Sequence, residues 1–379
     1  MDFIPRLALL YGGIFGAIGV ALPFLPLWLA AKGLDDKDIG YTLALATAVR
    51  VITMPITTRA ADHFGNLKIA IMIACLIGAI FTTTLAHSSG VAAIMIIYAL
   101  SSAAGGTTLP LTEAYAWRGL TERGRAYGPV RVWASGAFII ATLITGTLQG
   151  WLKPTEIIWV LVAVNCWAVL ASTLLIPVQK PAPTERKARV VELLQSPTLL
   201  AVIVSSALIQ ASHAVYYAFG TLHWKQAGIG GFTISLLWIT GVVAESFLFV
   251  GSARFSPRIT STVLIGFGAL GAMVRWTAMT FDPPLAILFP LQCLHAISFA
   301  ATYLGAVQYI ANSAPPALAA TAQGILASLN GLAMAAGMLA SGLLFARYGT
   351  MSYAAMTIVA AVGGIAALSA QRFSAREAR

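Results

Sequence analysis

The sequence predicts an all-α membrane protein with twelve transmembrane helices in two six-helix halves. Three observations carry this expectation. Hydrophobic residues make up 59% of the 379-residue chain and charged residues only 9%, with a mean hydropathy of +0.84; a soluble protein carries roughly 25% charged residues because its surface faces water. Apolar runs long enough to cross hydrocarbon, ~20 residues each, recur along the chain with short polar interruptions. One clear break in composition, Gln179–Gln195 (QKPAPTERKARVVELLQ), falls near the midpoint, and its prolines and charges are unsuited to a bilayer interior.

Taken in order, the crossings are expected near 6–31, 39–61, 68–87, 91–114, 128–150 and 156–177, then 197–220, 233–253, 260–280, 284–311, 318–346 and 351–371. The first apolar stretch is too long for the core of a cleaved signal peptide, and more spans follow it, so it reads as the first crossing. The expected organisation is therefore an N-terminal half over 1–178, a linker over 179–196 and a C-terminal half over 197–379. Orientation follows from the basic residues: with the N-terminus inside, fifteen Lys and Arg fall on the cytoplasmic side and five on the outer side. That bias places both termini in the cytoplasm. It also accounts for the net charge of +10, which comes with no basic domain or nucleic-acid motif. The bacterial inner membrane is the expected location, and a monomer the expected state.

An offset of 195 residues superimposes Phe24 on Phe219, Gly33 on Gly228, Ile39 on Ile234 and Arg59 on Arg254, and sets Arg50 over Glu245. Repeated halves of like topology are the pattern of alternating-access carriers. Cys75, Cys166 and Cys293 stand singly in apolar runs and read as small buried hydrophobes. No GxSxG, HExxH or phosphate loop occurs, so neither an enzyme, a metal nor a cofactor is expected. A sensor that binds without transporting is the alternative from another class.

Charges left within the spans single out the candidate site, because each costs at least ~2.5–3.5 kcal/mol at mid-depth. They are Arg50, Arg131 and Arg275, with Glu113 and Glu245. Arg50 and Glu245 lie too deep to snorkel. They read either as an ion pair between the second and eighth helices or as groups facing a wet cavity. Arg275 stands near the outer end of its helix. His295 and His213 read as packing residues or as proton relays, and Tyr216 and Tyr217 as an aromatic wall for a flat substrate or as packing. Glu113 and Arg131 flank a cytoplasmic loop, as a gate or a substrate pair across the cavity or as interfacial charges. Three arginines against two glutamates leave one positive charge, which a monoanionic substrate would neutralise. Pro23, Pro26, Pro55, Pro110 and Pro290 predict kinks, and the run GGIFGAIG predicts close helix contact.

Several stretches resemble the major facilitator superfamily. After the second helix, RAADHFGNLK resembles its Gly-x-x-x-Asp-Arg-x-Gly loop motif: Asp62, Gly65 and Lys68 match, with Thr58 in place of the first glycine and His63 in place of the arginine. GVALPFLPLWL, YGPVRVWASGAF, SHAVYYAF, LWITGVVAES, Arg275–Trp276, LHAISFAATYLGA and PPALAATAQG resemble its phenylpropionate permease branch, relatives of the lactose and nucleoside proton symporters. The likeness covers nearly the whole chain. It implies the major facilitator fold, alternating access and proton-coupled uptake of a small aromatic or hydrophobic carboxylate, an organic anion such as 3-phenylpropionate. A sugar or nucleoside is the alternative substrate.

The resemblance also implies roles for particular residues. Asp62 and Gly65 would form a gating loop. Arg50, Glu113, Arg131, Tyr216 and Tyr217 would serve the substrate, and Glu245, Arg275 and His295 proton coupling. The lactose permeases place an acid, an arginine and a histidine on helices 8, 9 and 10, as here. Their proton-carrying glutamate, one turn after the histidine, is Ser298 in this chain. Glu245 is therefore the first candidate carrier and His295 the second. The Gly-Pro-rich run of drug exporters is missing from the fifth helix (WASGAFIIATLITG), which points to uptake.

Overall fold

The computed structural model describes residues 2–178, 195–255, 259–315 and 318–377. All regular structure among them is helical. Eleven apolar segments are long enough to cross a membrane, and the last of these, Thr321–Phe373, holds two helices broken at a turn over Gly349–Met351. The described residues thus make twelve helical passes: α1 Phe3–Ala31, α2 Asp36–Phe64, α3 Leu67–His87, α4 Val91–Thr121, α5 Tyr127–Leu148, α6 Ile158–Thr173, α7 Pro197–Gln226, α8 Gly231–Phe255, α9 Ser261–Thr280, α10 Leu285–Ser313, α11 Ala319–Tyr348 and α12 Ser352–Glu377. The expected linker lies outside the described residues from 179 to 194.

The helix starts keep a regular spacing. α8 begins 195 residues after α2 (231 against 36), and α11 begins 192 after α5 (319 against 127). Contacts divide the chain into two compact units, Met1–Pro183 with Tyr217–Leu236, and Thr184–Tyr216 with Leu237–Arg379. In the first, α1 packs on α5 and α6, α2 on α4, and α3 on α4 and α6. In the second, α7 packs on α11 and α12, and α9 on α10 and α12. The small residues of α1 allow its close contacts. A Cβ on Gly13 would come within 2.6 Å of Ala168 on α6, and one on Gly19 within 3.1 Å of the Phe138 Cα on α5.

Large apolar side chains cover the outside. Ile69, Ile73, Ile77 and Ile80 of α3, and Phe247 and Val250 of α8, are exposed, an arrangement stable only where the surroundings are hydrocarbon. Polar groups mark the helix ends. Asp35 accepts from the Asp38 amide at 2.8 Å, Asn66 from the Ile69 amide at 3.2 Å and Ser196 from the Leu199 amide at 3.2 Å, each as an N-cap. Gly65 ends α2 with φ of 71°, a left-handed conformation that favours glycine.

Several boundaries differ from the hydropathy reading, among them the end of α7 at Gln226 beyond the expected 220 and of α12 at Glu377 beyond 371, and two have a physical reason in the packing. α4 continues to Thr121, beyond the expected 114, because Tyr115, Ala116 and Leu120 remain buried and Phe3 stacks on Tyr115 at 5.2 Å. Arg123 then donates to the Gly119 carbonyl at 2.8 Å. α6 stops at Thr173 because Pro177 disfavours a helical Ile176 and would clash with the carbonyl four residues back. The freed backbone finds other partners: the Tyr115 hydroxyl donates to the Ile176 carbonyl at 2.9 Å and accepts from its amide at 3.1 Å.

α7 and α10 are interrupted at mid-length by π-turns, over Tyr216–Gly220 and Ala296–Ala301. Such turns free backbone groups and are frequent at functional sites. In α10, the Phe299 carbonyl within the turn accepts from Gln210 Nε2 at 3.3 Å.

Candidate functional site

The intramembrane charges fall into three settings. In the first unit, α1, α4 and α5 bring together Tyr11, Glu113, Tyr127 and Arg131. Arg131 Nε lies 3.4 Å from Glu113 Oε1. The other carboxylate oxygen accepts from Tyr11 at 3.3 Å and from the Tyr127 hydroxyl. The guanidinium also sits 4.4 Å from the centre of the Phe15 ring. Glu113 is thus paired with one cation and held by two phenols. The pair stays partly open, with side chains 38% and 30% accessible for Arg131 and Glu113.

Arg50 belongs to the same unit, on α2. It is exposed and, among the described residues, its guanidinium has neither an ion pair nor a hydrogen bond. Its stem lies over Gly106 of α4, where a Cβ would overlap Arg50 Cγ and approach Cδ to 2.7 Å. The missing side chain at 106 is what gives the stem its seat. Tyr98 of α4 lies within electrostatic reach.

The second unit holds the third setting. Arg275 of α9 is completely buried. Its Nη1 donates to His295 Nδ1 at 3.1 Å and its Nη2 to Gln292 Oε1 at 2.6 Å. Tyr216 and Trp276 place their rings 4.4 and 4.6 Å from its Cζ, a cation–π arrangement. His295 Nε2 then faces Glu245 Oε2 of α8 at 3.6 Å. Arginine only donates, so His295 Nδ1 carries no proton and the ring hydrogen sits on Nε2, toward the carboxylate.

His213 adopts the opposite tautomer. Its Nδ1 lies 3.1 Å from the Ile209 carbonyl, which only accepts, so Nδ1 carries the hydrogen and Nε2 accepts from Ser298 at 3.1 Å. The two imidazoles stand 5.5 Å apart. Trp276 crosses His213 edge-on at 5.0 Å and donates to Ser212 at 2.9 Å. Tyr216 packs at 4.6 Å from Trp238.

Of the residues singled out from sequence, the structure joins Glu113 to Arg131, and links Glu245 through His295 to Arg275. Tyr216 is buried with its ring against Arg275, and Tyr217 is half-buried and grouped by its contacts with the first unit. Gly65 is the cap described above. Asp62 belongs to α2, but its side chain lies outside the described residues. Sequence reasoning missed Gln292, Tyr11, Tyr127 and the seat at Gly106. Gln292 had one usable signal, a place three residues before His295 and so on the same helical face.

A family model described as the MFS_1 like family matches residues 4–355. The chain belongs to that family. It is a multi-pass membrane transporter of the major facilitator type, and the proteins it resembles are transporters, not enzymes. It is 29% identical over 313 residues to the probable 3-phenylpropionic acid transporter of Escherichia coli (strain K12), covering 80% of this chain and 81% of that one. To the maltose permease of Geobacillus stearothermophilus it is 27% identical over 349 residues, 90% and 87% of the two chains. Among solved structures, the nucleoside transporter NupG superposes with a TM-score of 0.81 at 18% identity over 98% of this chain and 99% of that one. A D-xylose–proton symporter superposes at 0.73 with 17% identity over 98% of each. At those identities the superpositions speak for the fold alone.

Proposed function

We propose that this protein is a proton-coupled importer of small aromatic or hydrophobic carboxylates such as 3-phenylpropionate. In this reading it works as a monomer in the bacterial inner membrane with both termini in the cytoplasm. The halves 1–178 and 197–379, joined through 179–196, alternate in access. The observation that carries the reading is the charge left over at Arg50. Glu113 is balanced by Arg131, Glu245 faces the Arg275–His295 pair, and Arg50 has no counter-ion among the described residues. An uncompensated cation in a span is stabilised by an anionic ligand, and a substrate carboxylate supplies that charge. The similarity to a probable 3-phenylpropionic acid transporter supports the same class.

In the proposed cycle Arg50 anchors the carboxylate, with the Glu113–Arg131 pair nearby on the same unit. Glu245 takes the proton. Coupling then requires that proton and substrate each favour the state that carries both. A sugar or nucleoside substrate is the second reading, favoured by the similarity to a maltose permease and to a putative nucleoside transporter of Escherichia coli, 24% identical over 327 residues.

The test is external pH in lightly buffered, de-energised cells on adding 3-phenylpropionate, then maltose, then nucleosides, with cells lacking the protein as control. Protein-dependent alkalinisation by the acid is the expected result. Alkalinisation by maltose or a nucleoside instead would replace the substrate class, and silence from all three would remove proton symport of these compounds. Replacing Glu245 by Gln should abolish pH-driven accumulation and spare substrate exchange. Unchanged accumulation in that variant would take Glu245 out of the mechanism.

A further inference from the structure

Gln292 is completely buried on α10, carries no charge and belongs to no motif. Its side-chain oxygen nonetheless accepts from Arg275 at 2.6 Å, a shorter hydrogen bond than the 3.1 Å one from Arg275 to His295. Residues 292 and 295 are three apart and share one face of the helix, so α10 offers the guanidinium two acceptors side by side. The Tyr216 and Trp276 rings lie 4.4 and 4.6 Å from its Cζ and 6.0 Å from each other, on neighbouring rather than opposite sides of the cation. The rings crowd the cation, and the two acceptors set where its N–H groups point. Arg275 is held on His295 Nδ1 by a group that is not itself the proton carrier.

We propose that Gln292 is a positioning residue. It seats Arg275 on His295 Nδ1, which keeps His295 neutral and leaves Glu245 to carry the proton. The proposal rests on the proton-coupled reading above for its last step only. A second proton on His295 would have to enter at Nδ1, where an arginine N–H already points, and would set two cations against each other in a buried site. Among the described residues, the titratable and charged groups facing His295 are Glu245 from α8, Arg275 from α9 and His213 from α7, the last with its Nδ1 hydrogen given to the Ile209 carbonyl. Tyr216 of α7 packs on Arg275, and Tyr353 of α12 stacks on Trp276 at 5.8 Å.

The amide is the right chemistry for this task. A carboxylate at 292 would neutralise Arg275 and weaken its veto on a charged His295, whereas an apolar side chain would release the guanidinium. Gln292 anchors the cation and leaves its charge in place. The Gln292 Nε2 atom has no partner among the described residues, so the oxygen alone accounts for the orientation of this side chain.

The test is the 15N spectrum of His295 in the full-length protein, labelled at histidine and assigned by loss of its signals in His295→Asn. Wild-type protein should show a bare Nδ1 and a protonated Nε2 that do not change between about pH 5 and 8, the window in which an unrestrained histidine titrates. In Gln292→Met and Gln292→Glu, His295 should titrate within that window. The pH midpoint of proton-driven uptake should then move by about one unit or more. A protonated Nδ1 or a titrating His295 in the wild type overturns the proposal, even if neither variant folds. Unchanged spectra and pH profiles in folded variants overturn it as well. The expected spectra alongside uptake indifferent to pH support the lock on His295 and remove the proton-coupled reading instead.

Discussion

Replacing Gly106 by Ala isolates the seat of Arg50 from the stability of the fold. The added methyl would overlap Arg50 Cγ and stand 2.7 Å from Cδ and 3.4 Å from Cβ. Ordinary carbon contacts lie at about 3.5–4.0 Å, so the stem must retreat by roughly 1 Å or more, carrying the guanidinium with it. If Arg50 anchors a carboxylate, the variant forfeits a charge-assisted hydrogen bond of about 1.5–3 kcal/mol, roughly 10- to 150-fold in affinity. The effect on the helix has the opposite sign, since alanine is favoured over a mid-helix glycine by about 0.5–1 kcal/mol. The assay is a thermal melt of purified protein beside KM for 3-phenylpropionate uptake. The expected result is a raised KM with an unchanged or higher Tm. An unchanged KM, or a KM and Tm that worsen together, would refute the argument that Gly106 acts through Arg50.

Three further outcomes can be measured. His295→Gln keeps an N–H toward Glu245 and should retain pH-driven accumulation at reduced rate; loss of the pH dependence would return the carrier's role to His295. Tyr127→Phe removes one of the two phenols on Glu113 and, with that carboxylate partly accessible, should cost about 1 kcal/mol. A melt unchanged from wild type would show that Tyr11 and Arg131 suffice. Gly13→Val forces a branched side chain to within 2.6 Å of Ala168 and should destabilise by about 1–3 kcal/mol through overpacking. Wild-type stability in that variant would mean that α1 and α6 separate without cost.

Hydropathy made the helices legible because the bilayer imposes one requirement, ~20 apolar residues per pass, on every segment alike. The charges within the spans were legible for the same reason, since each stands out against hydrocarbon. Glu113 with Arg131, and Glu245 with Arg275 and His295, could be grouped by resemblance before any distance was known. The ends of α4 and α6 were not, because a packed Tyr115 and a backbone relieved at Pro177 act through neighbours distant in sequence.

What the sequence determined by itself is the number of passes, the small-residue face of α1 and the identity of the costly charges. Only the tertiary structure decided which charge is left over, which tautomer each histidine takes and what holds Arg275. Gly106 and Gln292 show why. An absent side chain and an uncharged amide carry no signal in composition or periodicity, and their roles arise only when α2 meets α4 and α9 meets α10. Burial makes the Gln292 contact consequential, because a cation without bulk water is governed by whatever acceptor stands within hydrogen-bond reach.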